Sequence, residues 1–122
     1  MHENQNTNKV YDLEERTYIF ARDVRIFCKT LPHSITITED SRQLIRASGS
    51  VGANYIEANE ALGKKDFLMH IRISRKESKE SKFWIRLIKD TGNAENIIEA
   101  DRLINEANEL LKIFSAIIEK SK

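Results

Sequence analysis

The sequence predicts an all-α domain, an antiparallel up-down-up-down four-helix bundle, and three observations lead there. Four segments space their apolar residues alternately by three and four, the period of a helix with one buried side. The 122 residues include only 4 Gly and 1 Pro, too few for the many turns of an all-β fold. The segments are each roughly twenty residues or longer with short connections, as a bundle requires. A chain of this length forms one domain and hides roughly two-thirds of its surface on folding. At 40% apolar residues, general disorder is excluded.

The first helix is predicted over about residues 12–31. Asp12 can cap it, with Glu15 three residues on closing a capping box. Leu13, Thr17, Phe20, Val24, Phe27 and Leu31 form its stripe, and Pro32 stops it. Residues 34–38, SITIT, alternate like a strand without a partner and read as an extended linker, with Thr38 as the next N-cap. The second helix carries Leu44, Ser48, Val51, Tyr55, Ala58 and Leu62, and Gly63 suits its C-terminal end.

Helix three is expected over about residues 65–90, with Phe67, Ile71, Ser74, Ser78, Ser81, Ile85 and Ile88 inward. Asn93 can cap helix four, whose stripe reads Ile97, Ala100, Ile104, Ala107, Leu111, Phe114 and Ile118. Residues 1–11 are expected to be a flexible polar N-terminus, and residues 12–120 the bundle domain. One Cys excludes an intrachain disulfide framework and suits a reducing compartment. The opening MHENQNTNK lacks the apolar run of a signal peptide, and no stretch approaches a membrane span. The expectation is a cytoplasmic protein with no membrane partner.

Several helices carry more apolar surface than one seam needs. Met69, Ile73, Trp84 and Leu87 cluster on helix three away from its core stripe. Ile19 and Ile26 lie off the seam of helix one, and Ile45 and Ile56 off that of helix two. Gly49, Gly52 and Ala53 lie between the last two and would let another backbone approach. Two readings are open, a wide core or an oligomer interface, and the surplus favours the interface.

The 20 basic and 19 acidic residues nearly cancel, but not locally. Residues 64–90 hold 9 basic and 4 acidic groups, so helix three is cationic. Arg72, Arg75, Lys79, Lys82, Arg86 and Lys89 are spaced three and four apart along one side, a ladder about 25 Å long at 1.5 Å per residue. Pairing with acids of helices two or four, or plain solvation, is one reading. Binding of nucleic-acid phosphates is the other.

Asn54 and Glu57 lie one turn apart on helix two, and Glu77 and Glu80 repeat the spacing on helix three. Facing carboxylates can hold a di-metal centre, yet none of His2, His33 and His70 follows a Glu at the Glu-x-x-His spacing. The favoured reading is a structural polar network in which Arg75 or Lys76 offsets a Glu, with His70 on the surface. No metal or cofactor is expected. Gly63-Lys64-Lys65 lacks the spacing of a phosphate loop, and residues 49–52, GSVG, sit inside a helical pattern. Cys28 reads as a buried, inert thiol. Nothing assembles a nucleophile, a base and an oxyanion site, so no enzyme is predicted.

Leu31-Pro32 and residues 43–61, QLIRASGSVGANYIEANEA, resemble the helix-two signature of the four-helix-bundle proteins encoded in 23S ribosomal RNA intervening sequences. Lys65-Asp66-Phe67 and residues 75–84, RKESKESKFW, resemble the matching helix-three signature. The resemblance covers about residues 12–118, nearly the whole chain, and its motifs are structural rather than catalytic. Asn54, Glu57 and Glu80 match the family's motif positions; Ala58 stands where many members have Gly. The family includes the accessory variability determinant protein of diversity-generating retroelements. The resemblance implies a homopentamer arranged as a barrel and, in the retroelement branch, binding of a reverse transcriptase and nucleic acid through basic surfaces. The expected function is therefore a non-enzymatic oligomeric accessory protein binding RNA or DNA, or a ribonucleoprotein. The alternative is a protein-interaction scaffold. Those relatives are markedly basic, and the near-neutral balance here caps the affinity expected.

Overall fold

The computed structural model describes the backbone of residues 5–92 and 94–122 and the side chains of residues 13–92 and 95–122. Among them are four α-helices and no strand. They are α1 (Gln5–Lys29), α2 (Ile35–Asn59), α3 (Lys64–Thr91) and α4 (Ile97–Lys120), the last entered through a 3-10 turn at Ala94–Asn96. Consecutive helices pack on one another, and α4 also meets α1.

Helix α1 is under way by Gln5, so Asp12 lies inside it and is not its cap. The stretch between them contains neither Gly nor Pro, and an interior Asp costs less than about 1 kcal/mol in helix propensity. Residues 1–4 lie outside the described residues, and the expected flexible N-terminus falls partly on them. The predicted stripe is buried throughout, from Leu13 to Leu31. Leu31 lies just beyond the helix, which ends before Pro32.

The expected linker at residues 34–38 is the start of α2. Ser34 is the N-cap, and its hydroxyl accepts from the Ile37 amide at 3.1 Å. Ile37 is buried while Ile35 is 89% exposed, so the apparent alternation marks one core residue and a solvated first turn. The other end of α2 also differs from expectation. The helix stops at Asn59 with Glu60 as C-cap, leaving Leu62 fully exposed and outside the stripe. Gly63 instead caps the start of α3, in extended backbone, and its carbonyl accepts from the Phe67 amide at 3.0 Å.

Helix α3 buries the predicted stripe from Ile71 to Ile88, with Phe67 half-buried at its start. Gly92 follows it, where an added Cβ would sit 2.7 Å from the Ile88 carbonyl oxygen, so the chain turns closely against the end of α3. The expected cap Asn93 lies outside the described residues; the N-cap of α4 is Asn96, without a side-chain capping bond. Ala100, Leu103, Ala107, Leu110, Phe114 and Ile118 form the buried seam of α4. Leu103 and Leu110 replace the expected Ile104 and Leu111, which are half-buried, and Ile97 is exposed. Neighbouring residues lie about 100° apart on a helix, so burying Leu103 and Leu110 turns the seam away from the side of Ile97, Ile104 and Leu111.

The core joins Phe20, Phe27, Leu44, Val51, Ile71, Ile85, Leu103 and Phe114 from all four helices. Tyr55 tilts against Phe114 with ring centroids 5.9 Å apart. Two helix pairs approach through small residues. A Cβ on Gly52 would lie 2.8 Å from Thr17 Oγ1, so α1 rests on α2 there. Ser74 Oγ of α3 donates to the Val51 carbonyl of α2 at 2.8 Å, with Ser48, Ser78 and Ser81 fully buried around it.

Candidate nucleic-acid interface

The buried stripe of α3 divides its remaining surface into two flanks. Arg72, Arg75, Lys79, Lys82, Arg86 and Lys89 share one. Lys89 identifies its neighbour, for its Nζ reaches Asp101 Oδ1 of α4 at 2.6 Å. The other five cations form no ion pair among the described residues. Pairing with acidic residues thus accounts for one rung of the ladder.

The acids of α4 are engaged elsewhere. Glu106 holds Arg16, Glu99 holds Arg102, Glu109 pairs with Lys112, and Glu119 with Lys122. One and two heptads beyond Asp101, on the same flank of α4, stand the neutral Asn108 and Ser115. Arg72, Lys79 and Arg86 are exposed, and Arg75 and Lys82 half-buried. Successive rungs rise roughly 5 Å along the helix, inside the Debye length of about 8 Å at physiological ionic strength. Each cation therefore raises the cost of its neighbours, and an incoming polyanion relieves all of them.

The opposite flank of α3 is apolar and borders α2. Met69 is 46% exposed, while Ile73, Trp84 and Leu87 are half-buried, Trp84 against the core. Phe83 is exposed and packs edge-on to Trp84, ring centroids 5.0 Å apart. Ile56 of α2 and Ile26 of α1 are also about half exposed. Gly52, expected to admit another backbone, admits α1 of the same chain, and Arg25 lies over Gly49.

Between α2 and α3 the polar residues sort into two groups rather than one network. Asn54 Nδ2 donates to the Ser50 carbonyl at 3.0 Å and its hydroxyl at 2.9 Å, while Asn54 Oδ1 meets His70 Nδ1 at 3.0 Å. His70 thus faces α2 and is half-buried, not a surface residue. Glu57 is exposed and belongs to neither group. In the second group Arg46 of α2 reaches Glu77 at 3.9 Å and Glu80 at 3.8 Å. The cation at ion-pair distance from these acids is therefore Arg46; Lys76, one of the two expected, acts on Glu77 only from farther away, and Arg75 does not take part.

Glu77 is buried, and its Oε1 and the nearby Ser81 Oγ have no hydrogen-bond partner among the described residues. Burial, then repulsion from Glu80, raises the Glu77 pKa above the usual carboxylate range, with Arg46 and Lys76 opposing. Arg46 escapes a reading of α3 alone; its signal is a basic residue on α2 at the level where two glutamates cross. Cys28 is half-buried, and burial pushes its thiol up, against a smaller opposing effect of Ser41. Among the described residues no three His, Cys, Asp or Glu side chains gather to hold a metal ion. None of the helices described is long and apolar enough to cross a membrane.

Residues 9–116 match the model of a family described as 23S rRNA-intervening sequence protein. A search of curated proteins finds no match. Among solved structures the chain is similar to a protein of unknown function from the S23 ribosomal protein family of Bacteroides thetaiotaomicron VPI-5482. That likeness has a TM-score of 0.75 and 26% identity, over 91% of this chain and 98% of the other. Neither description names a reaction.

Proposed function

This chain belongs to the 23S rRNA-intervening sequence protein family, and on that footing we propose a non-enzymatic oligomeric accessory protein. It binds nucleic acid, or a ribonucleoprotein such as one containing a reverse transcriptase, through the basic flank of α3. The observation that carries this reading is the five rungs without an ion pair among the described residues, while the acids of α4 serve other cations. The bundle itself reads as antiparallel, up-down-up-down. Cross-helix pairs support this, because residue numbers rise on one helix as they fall on the next: Arg46 with Glu77, and Asn54 with His70.

The apolar flank at Met69, Ile73, Trp84 and Leu87 is the subunit contact in this proposal, and the resemblance to pentameric barrels supports a homopentamer. Assembly multiplies the ladder by the number of copies, which compensates for the near-neutral net charge of +1 per chain.

Binding of duplex and single-stranded RNA and DNA across a salt series tests the reading, with light scattering on the same samples. Five phosphate contacts per chain give a slope of log affinity against log salt of about −4 to −5 for a duplex. Reversing the charge of Arg72, Lys79 and Arg86 together should abolish binding without changing the assembled mass. Equal binding by that variant, or none by the natural chain at low salt, defeats the proposal. Exposed Met69, Phe83 and Ile56 favour one rival, a protein-interaction scaffold. Partners retained after nuclease treatment, with no nucleic-acid binding, would establish it.

A further inference from the structure

Where α1 ends and α2 begins, the surface opens into a cavity of about 580 Å³, a size within the roughly 300–1,000 Å³ typical of small-molecule sites. Its floor is apolar. Leu31 and Ile37 are buried there, and Cys28 and Ile45 pack half-buried against the core. Its wall carries Arg25, Lys29 and Arg42, and not one Asp or Glu. In a chain balanced at 20 basic against 19 acidic residues, three permanent cations with no acid is a local excess of one sign.

Arg25 and Lys29 come from α1 and Arg42 from α2. Arg25 Nη1 donates to the Ala21 carbonyl at 3.0 Å, and its Nη2 lies 3.3 Å from the place a Cβ on Gly49 would take. Gly49 and Ala21 line a neighbouring hollow that shares Arg25 and Lys29 with this cavity, so these two cations stand on the ridge between them. Among the described residues Arg42 has only an exposed partner, Glu39, at 3.3 Å, a contact that solvent screens. We propose that this cavity binds an aliphatic carboxylate, its tail on Leu31, Ile37 and Ile45 and its head group at the cationic rim of Arg25, Lys29 and Arg42. The floor rewards burial of methylenes. The wall supplies charge-assisted hydrogen bonds to a carboxylate. A purely polar anion would leave the floor unused, and an apolar cation would meet three like charges.

Cys28, the only cysteine, reports occupancy from the floor. Its alkylation by iodoacetamide is followed by mass spectrometry with decanoate, decanol or decyltrimethylammonium at matched submicellar concentrations. Decanoate should slow alkylation strongly, decanol should require about ten- to a hundredfold more for the same protection, as a charge-assisted bond is worth about 1.5–3 kcal/mol, and the cation should not protect. Replacing Arg25, Lys29 and Arg42 together by Gln should bring decanoate down to the level of decanol. Ile45→Ala should weaken both. No protection by decanoate, or equal protection by all three amphiphiles, overturns the proposal. Protection that tracks a change in assembled mass also overturns it, because the cavity would then be a contact between copies of this chain.

Discussion

Across the α2–α3 seam the contacts are short and buried: Ser48, Ser74, Ser78 and Ser81 have no exposed surface, and Ser74 donates directly to a backbone carbonyl of the facing helix. Across the α1–α4 seam the polar contacts are made by long, partly solvated side chains. Arg16 grips Glu106 with two bonds of 2.7 and 2.9 Å, and Arg102 reaches Asp23 at 2.9 Å, with the arginines 39% and 51% exposed. The two seams close the same bundle with different energies. Small side chains let backbones approach and maximise dispersion, whereas exposed ion pairs hold position at little net gain.

Enlarging a buried serine should disturb the α2–α3 seam most. Ser74→Leu both removes the bond to Val51 and overfills the seam, and should cost about 1–3 kcal/mol or more in urea unfolding. A loss no larger than that of a surface substitution would mean that α2 and α3 are not closely packed.

Glu77 makes a smaller test with a definite sign. Its folded pKa lies above the unfolded value, so its favourable contribution is complete at acid pH and is lost as pH rises through the folded pKa. The groups facing it are Arg46 from α2 and Glu80 and Lys76 from α3. Glu77→Gln should therefore gain stability over the natural chain toward neutral pH, and the gain should vanish below the carboxylate range. A constant difference between the two melting curves at every pH would refute this.

The smallest effect belongs to the clasp. Arg102→Ala should cost no more than about 1 kcal/mol, and less in high salt. A larger, salt-independent cost would show that the α1–α4 seam is held as firmly as its counterpart.

Much of this arrangement is legible in the sequence. The stripes of α1 and α3 follow from helical spacing, with Thr17, Ser74, Ser78 and Ser81 falling in line with the apolar residues, and the ladder on α3 follows from the spacing of its cations. Helix ends are less legible, because they depend on competing local choices. Ser34 and Thr38 are both good caps, and the buried position of Ile37 decides between them. Leu62 continues a stripe on paper, but α2 has already ended. Partners across helices are least legible of all. Arg46 and His70 look like surface residues until α2 and α3 are brought together, and Gly52 looks like an opening until Thr17 fills it.

Unequal seams also imply an order of disassembly. Among the described residues α2 and α3 share the most extensive contact and α1 and α4 the least. Transient openings that release amide protons should therefore free α1 well before they part the central hairpin. Slow exchange would then concentrate in α2 and α3, the pair that also carries the basic ladder. The charged surface would ride on the last part of the molecule to come undone.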